Sequence, residues 1–337
     1  MARVSFALQT THSLTNMGFW RFKLDLNELI KYYKEKYPVK TAIDWAGYEK
    51  EYKKRLDVAL KEIRPIIKEA ASALIKNTKL IGRPPEISIE DKVMLLLLKD
   101  IFDTSNRKTA GLLPLFSHLS RLKTTYKTVE RLYSDPLVSI VMHNMFVIMV
   151  KKKGIVRADL SGDGTVYGLT VTKHYSTNVR KENGKKKTFA YAFAFIDLNT
   201  KMYVGYGTGM RSEMEAFNAA RGMMTRIGIE VDSVKLDRYY TFQSIIQRFG
   251  SKTKFYIIPK KSTTSRGNSR WHEIWRSFMR NSMVFLKEYY RRESSESNSA
   301  ADKKSNGWQV WQRRDDRIAT AVMCNGVWHN LLLIGRG

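Results

Sequence analysis

The hydrophobic pattern of this chain changes its period near Gly154, and no other feature narrows its possible folds as much. Ahead of that point, apolar residues recur at helical spacing. Beyond it they alternate, as in strands with one buried face. Over 155–165, Val156, Ala158 and Leu160 point one way, while Arg157, Asp159, Ser161 and Asp163 point the other. Such a switch predicts an α/β chain whose sheet-forming second half follows an all-helical region.

With 337 residues, the chain is long enough for two or three domains. Residues 1–80 read as a helical N-terminal region. Helices are predicted over 24–36 and 48–77, the second carrying Leu56, Ala59, Leu60, Ile63, Ile66 and Ile67, with Pro65 expected to kink or divide it. Gly82, Pro84 and Pro85 then break the chain. In residues 81–153, Ser88 with Asp91 resembles a capping box ahead of a buried helix over 93–102. Further helices are expected over 107–119 and 127–133, and Ser134-Asp135-Pro136 starts the next. Short helices with Lys123, Lys127 and Arg131 near the last one suit a helix-turn-helix reader of DNA. An ordinary helical bundle accounts for them equally well.

Charge narrows the partners. Lys and Arg number 59 against 32 Asp and Glu, a formal net charge of +27 that attracts polyanions. Nucleic acid fits better than an anionic membrane, because the basic residues are spread along the chain rather than gathered in one amphipathic helix. The apolar stretch 137–150 is interrupted by Ser139, His143 and Asn144 and is too short to span a bilayer. Residues 1–16 lack the basic-then-apolar order of a signal peptide. A single cysteine, Cys324, excludes a disulfide framework and a Cys-based zinc site. The expectation is a soluble, cytoplasmic, nucleoid-associated protein.

Residues 154–337 read as one further domain. After the first strand, the basic stretch 180–187 with Asn183-Gly184 reads as a loop. Strands are predicted over 189–196 and 202–208, separated by a turn, giving three consecutive antiparallel strands. Ser212 and Glu215 form a second capping box, opening a helix that runs to Ile227. A strand over 231–236, a short helix over 242–249 and a strand over 254–258 follow. The resulting βββαβαβ order resembles that of the RNase H-like fold, a mixed sheet flanked by helices.

Phosphodiester transfer needs a deprotonated attacking oxygen and a stabilised leaving oxygen. Two Mg²⁺ or Mn²⁺ ions roughly 3.5–4 Å apart provide both. Hard cations take oxygen ligands, so several carboxylates must converge. The first strand offers Asp163, in Gly162-Asp163-Gly164-Thr165, and Asp159 four residues earlier on the same face; periodicity does not choose between them. Alternatively, Asp163-Gly164 is a hairpin turn. The fourth strand offers Asp237, which also suits a helix cap. Downstream, Trp271, Ile274, Trp275, Phe278, Phe285, Leu286 and Tyr289 form an apolar stripe at helical spacing. If that helix continues, Tyr289, Arg292, Glu296 and Lys303 fall within about 60° of one another. A solvated face with a serine-rich loop over 294–299 is the other reading, and Glu293 stands near the same face.

Tyr289-x2-Arg292-x3-Glu296-x6-Lys303 resembles the Y-x2-R-x3-E-x6-K signature of a large group of bacterial and archaeal insertion-sequence DDE transposases. Gly162-Asp163-Gly164-Thr165 is similar to their first-aspartate motif and Asp237-Arg238-Tyr239-Tyr240 to their second, with Tyr239 where the pattern has a small residue. The likeness covers roughly residues 154–337. It implies that Asp163, Asp237 and Glu296 are the catalytic metal ligands for two Mg²⁺ (or Mn²⁺) ions, with Asp159 and Glu293 as alternates. It further implies that Arg292 and Lys303 hold phosphates, and that Tyr289 and Arg238 contact the DNA end. The implied reaction is hydrolytic cleavage at a transposon end, then in-line attack of the freed 3′-hydroxyl on target DNA. Its partners would be double-stranded DNA (terminal repeats and target) and a second copy of the chain, since two ends must be paired.

Three further features stand beside this reading. His174 suits a loop contact to backbone or phosphate. Trp308 and Trp311, among Arg313, Arg314 and Arg317, could stack on an unpaired base, whereas Ile318, Ala321, Val322 and Trp328 read as the core of a final helix. The Lys185-Lys186-Lys187 run suits either solvent or a DNA backbone. Two rival functions remain: a catalytically inactive, repurposed transposase acting as a DNA-binding protein, and an RNase H-like nuclease that cuts without joining.

Overall fold

The computed structural model describes residues 15–38, 44–75, 86–120, 124–177, 180–293, 302–303 and 307–335. Helix α1 (Asn16–Lys36) is capped by Thr15, whose hydroxyl accepts from Gly18 N–H at 3.0 Å. Its buried Phe19, Phe22, Leu26, Leu29 and Tyr33 recur at helical spacing. Helix α2 (Trp45–Ile75) contains Pro65 without being divided by it. A proline removes one backbone bond, and buried Ala59, Ile63, Ile66, Ile67, Ala70 and Ala71 on both sides of the lesion share one core. Helix α3 (Ile89–Ile101) starts at Ser88, which accepts from Asp91 N–H at 3.0 Å as the capping box predicts. Helices α4 (Asn106–Ser120), α5 (Tyr126–Leu132) and α6 (Pro136–Lys152) follow. Asp135 caps α6 ahead of Pro136. Seven apolar side chains of α6, among them Val141, Phe146 and Met149, are buried inside the protein. Among the described residues, no single helix is long and apolar enough to cross a membrane.

The second half is a mixed sheet with helices on both faces. Strands β1 (Arg157–Thr177), β2 (Arg180–Asp197) and β3 (Tyr203–Gly209) pair antiparallel in sequence. Helix α7 (Glu213–Ile227) then leads to β4 (Glu230–Leu236), which lies parallel to β1. A 3-10 turn (Arg238–Tyr240) and α8 (Gln243–Ile246) lead to β5 (Lys254–Tyr256), parallel to β4. After α9 (Ser269–Arg280) and α10 (Ser282–Tyr290), β6 (Gln309–Val310) pairs with β1 at Gly168 and Leu169. Helix α11 (Asp315–Ile334) closes the chain. The spatial order is β3-β2-β1-β4-β5, with β6 beside β1.

Two rows of side chains set the layers. Gly205, Gly207 and Gly209 alternate along β3, and a Cβ on any of them would lie 2.3–2.5 Å from backbone atoms of α7 or its cap. Glycine therefore lets α7 sit directly on that face. On the other face, Tyr206 packs against Gly326 of α11, and α10 covers β4 and β5. Ile318, Ala321, Val322 and Trp328 of α11 are buried, as expected of a core helix. Helix α11 also contacts α2, α3 and α6, so the buried residues of both halves form one continuous cluster. Helix α1 joins through Phe19 on Trp275 (5.4 Å between ring centroids), Phe22 on Phe278 (4.9 Å) and Tyr33 on Tyr290 (5.0 Å).

Three expectations are corrected. The basic stretch 180–187 is strand rather than loop: it pairs with 173–177 of β1, for example Lys187 with Lys173 and Arg180 with Thr177. A two-stranded ribbon pairs the inner edges of its strands and leaves the outer edges and both faces to water, so polar residues on both faces do not prevent it, and side-chain alternation gives no signal. Asp163-Gly164 is no hairpin turn, since both residues pair with β2, opposite Ala194 and Phe193. The downstream apolar stripe is not one helix. Asn281 leaves helical geometry (φ −144°, ψ 75°) and its side chain caps α10 by accepting from Val284 N–H at 3.2 Å. Past Tyr290, the N–H groups of Arg291 and Arg292 donate three residues back, to Glu288 and Tyr289, which tightens the chain out of the α-helix.

Candidate active site

Parallel pairing brings two of the predicted carboxylates together. The register of β1 and β4 aligns Ser161 with Lys235 and Gly162 with Leu236, so the next residues on the two strands are Asp163 and Asp237. Neighbouring strands lie ~4.8 Å apart. Both aspartates also share a face. A Cβ on Gly162 would strike Leu236 and Phe193, and one on Gly164 would strike Glu213 of α7, so these positions face α7. Asp163 and Asp237 therefore project to the opposite face, the one covered by α10. In open sheets this end, beyond the carboxyl ends of parallel strands, is where ligands bind.

Cations surround the pair. The Arg292 guanidinium lies 3.6 Å from the Asp237 carboxylate and 5.2 Å from the Tyr289 ring centroid. Burial pushes the Tyr289 hydroxyl up to about 12, with Arg292 opposing and Asp237 adding to the rise, so it stays protonated at neutral pH. Arg238, exposed at the start of the 3-10 turn, is close enough for its charge to act on Tyr289 as well. Lys303 is buried, with its ammonium 5.6 Å above the Tyr167 ring and 4.9 Å from that of Trp308. Burial lowers the Lys303 amine from its ordinary value, and the nearby Asp163 carboxylate resists that change. Trp308 and Trp311 are exposed.

The alternates meet other fates. Asp159 accepts from Ser233 and the fully buried Lys235, and pairs with Arg291 at 2.5 Å. Burial alone would raise its carboxyl, but hydrogen bonds from Lys235 and Ser233 and the charges of Lys235 and Arg291 hold it below the ordinary range. Glu288 completes the cluster, 3.5 Å from Lys235 and 2.9 Å from Arg291. Glu293 lines a hollow of about 370 Å³ together with Tyr33, Tyr37, Tyr290 and Arg291, against α1. Glu296 lies outside the described residues, as do the side chains of His174 and Lys185 to Lys187. Among the described residues, no three His, Cys, Asp or Glu side chains cluster closely enough to hold a metal ion.

Two site residues carry no signal in the sequence. Glu213 accepts from the Tyr240 hydroxyl at 2.5 Å, beneath Gly164. Burial, this bond and the charges of Glu213, Tyr239 and Asp163 drive the Tyr240 hydroxyl far above its ordinary value. Lys260 donates to the Tyr239 carbonyl at 2.8 Å and packs on Phe242, with its amine lowered by burial and raised by the nearby Asp237. Neither belongs to a periodic pattern or a fixed spacing; only tertiary folding brings them to the site.

Fold and site define a class: a basic, mixed α/β protein whose paired aspartates stand among arginine and lysine at the ends of adjacent strands. No family model matches the chain. It is 39% identical over 301 residues, 89% of each chain, to the "Probable transposase for insertion sequence element ISA1214" of Archaeoglobus fulgidus. The chain belongs to this family of insertion-sequence transposases. Two solved structures, a Mos1 transposase paired-end complex with the left transposon end and a pre-cleavage Mos1 transpososome, are each 11% identical. They overlap 69% and 70% of this chain and 83% of their own, at a TM-score of 0.19, too low to bear on the fold.

Proposed function

We propose that this transposase is an RNase H-like DDE enzyme of the Y-x2-R-x3-E-x6-K group, which cleaves DNA at transposon ends and joins the freed 3′-hydroxyl to target DNA. The observation that carries the reading is the β1–β4 register, which makes Asp163 and Asp237 neighbours on the face that also carries Tyr289 and Arg292. The donor set fits hard divalent ions: two aspartates at strand ends, with Glu296 as the third ligand from the segment beyond Glu293. When bound there, two Mg²⁺ (or Mn²⁺) ions would supply activation of the attacking oxygen and stabilisation of the leaving one. Asp159 is left out of this set, because three cationic or hydroxyl partners already occupy its oxygens.

The chain's own residues perform the remaining tasks. Lys303 and Arg292 offer positive charge to non-bridging phosphate oxygens on either side of the aspartate pair. Tyr289, protonated at neutral pH, donates to the DNA end, and Arg238 contacts the backbone from the exposed turn. Arg292 also faces the Asp237 carboxylate at 3.6 Å, which ties the two sides of the site together. The division into 1–80, 81–153 and 154–337 belongs to the same proposal, with α4 and α5 as a DNA-reading pair and the lysines of 185–187 along the duplex. So do a homodimer on paired ends and a cytoplasmic, nucleoid-associated location.

The test is cleavage of labelled element-end DNA by the purified protein with Mg²⁺, Mn²⁺ or EDTA. Metal-dependent cutting and joining that Asp237→Asn abolishes, with end binding retained, is the expected result. Cutting that persists in EDTA overturns the mechanism. Binding with no cutting in either metal makes the chain a repurposed DNA-binding protein, and cutting with no joining makes it a nuclease.

A further inference from the structure

We infer that Asp302 is the positioning residue for Lys303: latched by Tyr203 and His329, it fixes where the lysine stands beside Asp163. This rests on the phosphate-holding role proposed above for Lys303. A lysine head sits on a flexible four-carbon stem, so its location is only as defined as the backbone that carries it. Here that backbone is fastened on both sides. On one side, the Tyr203 hydroxyl donates to one Asp302 oxygen, and His329 Nδ1 lies 2.9 Å from the other. The other ring nitrogen of His329 lies 2.9 Å from the Lys201 carbonyl. Both nitrogens thus face oxygen atoms, so the ring is held from both edges. The ring lies flat on Tyr203, with centroids 3.6 Å apart and planes within 10°. On the other side, Gly168 N–H of β1 donates to the Trp308 carbonyl at 3.0 Å, and β6 continues the pairing. Between the two anchors, Gly307 N–H donates to the Lys303 carbonyl at 3.0 Å.

A mere staple would be built differently. The Asp302 side chain is 13% exposed and that of His329 6%. An apolar contact of the same volume commonly matches or exceeds a buried polar pair in stability, because both polar groups lose hydration. What the His329 contact and the directed hydroxyl provide is orientation. They point Asp302 into the floor made by Tyr203, whose neighbour Tyr167 is the ring beneath the Lys303 ammonium. The adjacent residue is thereby turned toward Asp163.

The experiment uses the full chain with element-end DNA and Mg²⁺, measuring the single-turnover cleavage rate and end-binding affinity separately. Asp302→Asn should slow cleavage about 10–100-fold, the usual scale for a supporting residue, and leave affinity for the end unchanged. The double variant Asp302→Asn, Lys303→Met should be no slower than Lys303→Met alone, because both changes remove one contribution. A merely structural role would instead multiply the two losses, and that result overturns the inference. So does wild-type cleavage by Asp302→Asn when Lys303→Met is impaired. Normal cleavage by Lys303→Met removes the premise as well. Should Asp302→Asn not fold, Tyr203→Phe, which deletes one hydrogen bond, carries the same test of non-additivity.

Discussion

Asp159 and Asp163 stand four residues apart on one face of one strand, yet the fold puts them to opposite uses. Asp159 meets Lys235, Ser233 and Arg291 in a half-enclosed cluster that Glu288 completes. Asp163 lies where β4 ends, beside Asp237, which faces the Arg292 guanidinium at 3.6 Å. The contrast separates a carboxylate held within the sheet from the pair proposed to do the chemistry. Directional bonds to a buried lysine use up the oxygens of the first. At the strand end, Arg292 beside Asp237 and Lys303 near Asp163 set a positive field around the second pair.

The contrast can be broken or sharpened by substitution, taking the largest expected effect first. Asp163→Asn or Asp237→Asn should reduce cleavage of element-end DNA about a thousandfold, the scale of removing a central electrostatic group. Asp159→Asn should leave the cleavage rate near wild type, so equal losses at all three positions would erase the distinction. Lys235→Met strands Asp159 and Glu288 without their buried counter-charge, and should cost about 3–5 kcal/mol in urea unfolding.

Asp159→Asn itself should cost about 1–3 kcal/mol at neutral pH, the scale of a charged hydrogen bond. Its carboxyl is held below the ordinary range in the folded chain. The stabilisation is therefore present above the unfolded value of roughly 3.9 and disappears as pH falls through the folded value. The wild type should lose stability on acidification below about pH 4 that Asp159→Asn does not lose, as thermal melts across pH would reveal. Smallest is the strand itself. Gly162→Ala forces a methyl to 2.6 Å from Leu236 and 2.8 Å from Phe193, and should cost about 1–3 kcal/mol by overpacking. Gly164→Ala should cost less, since only the flexible Glu213 side chain, from Cγ outward, must yield.

Much of the fold was legible before any coordinates. Ser88, Asp135 and Ser212 each cap the helix their spacing predicted, because a cap is a bond between residues two or three apart. The alternation of β1 correctly put Asp159, Ser161 and Asp163 on one face. The 180–187 ribbon was not legible, since its pairing needs no buried face. Nor was the break at Asn281, where the apolar spacing runs on through a change of helix direction.

The sequence by itself determined the helical first half, the sheet that follows, the strong positive charge and the short set of acidic candidates. Each of these is a local property: hydrogen bonds and side-chain direction repeat over a few residues, and charge simply adds. Only the tertiary structure decided that Lys235 and Arg291 claim Asp159, that Asp163 meets Asp237, and that Asp302 is fastened to His329. Those outcomes join residues tens of positions apart, and no periodicity reports which distant charge a carboxylate will face once the sheet has closed.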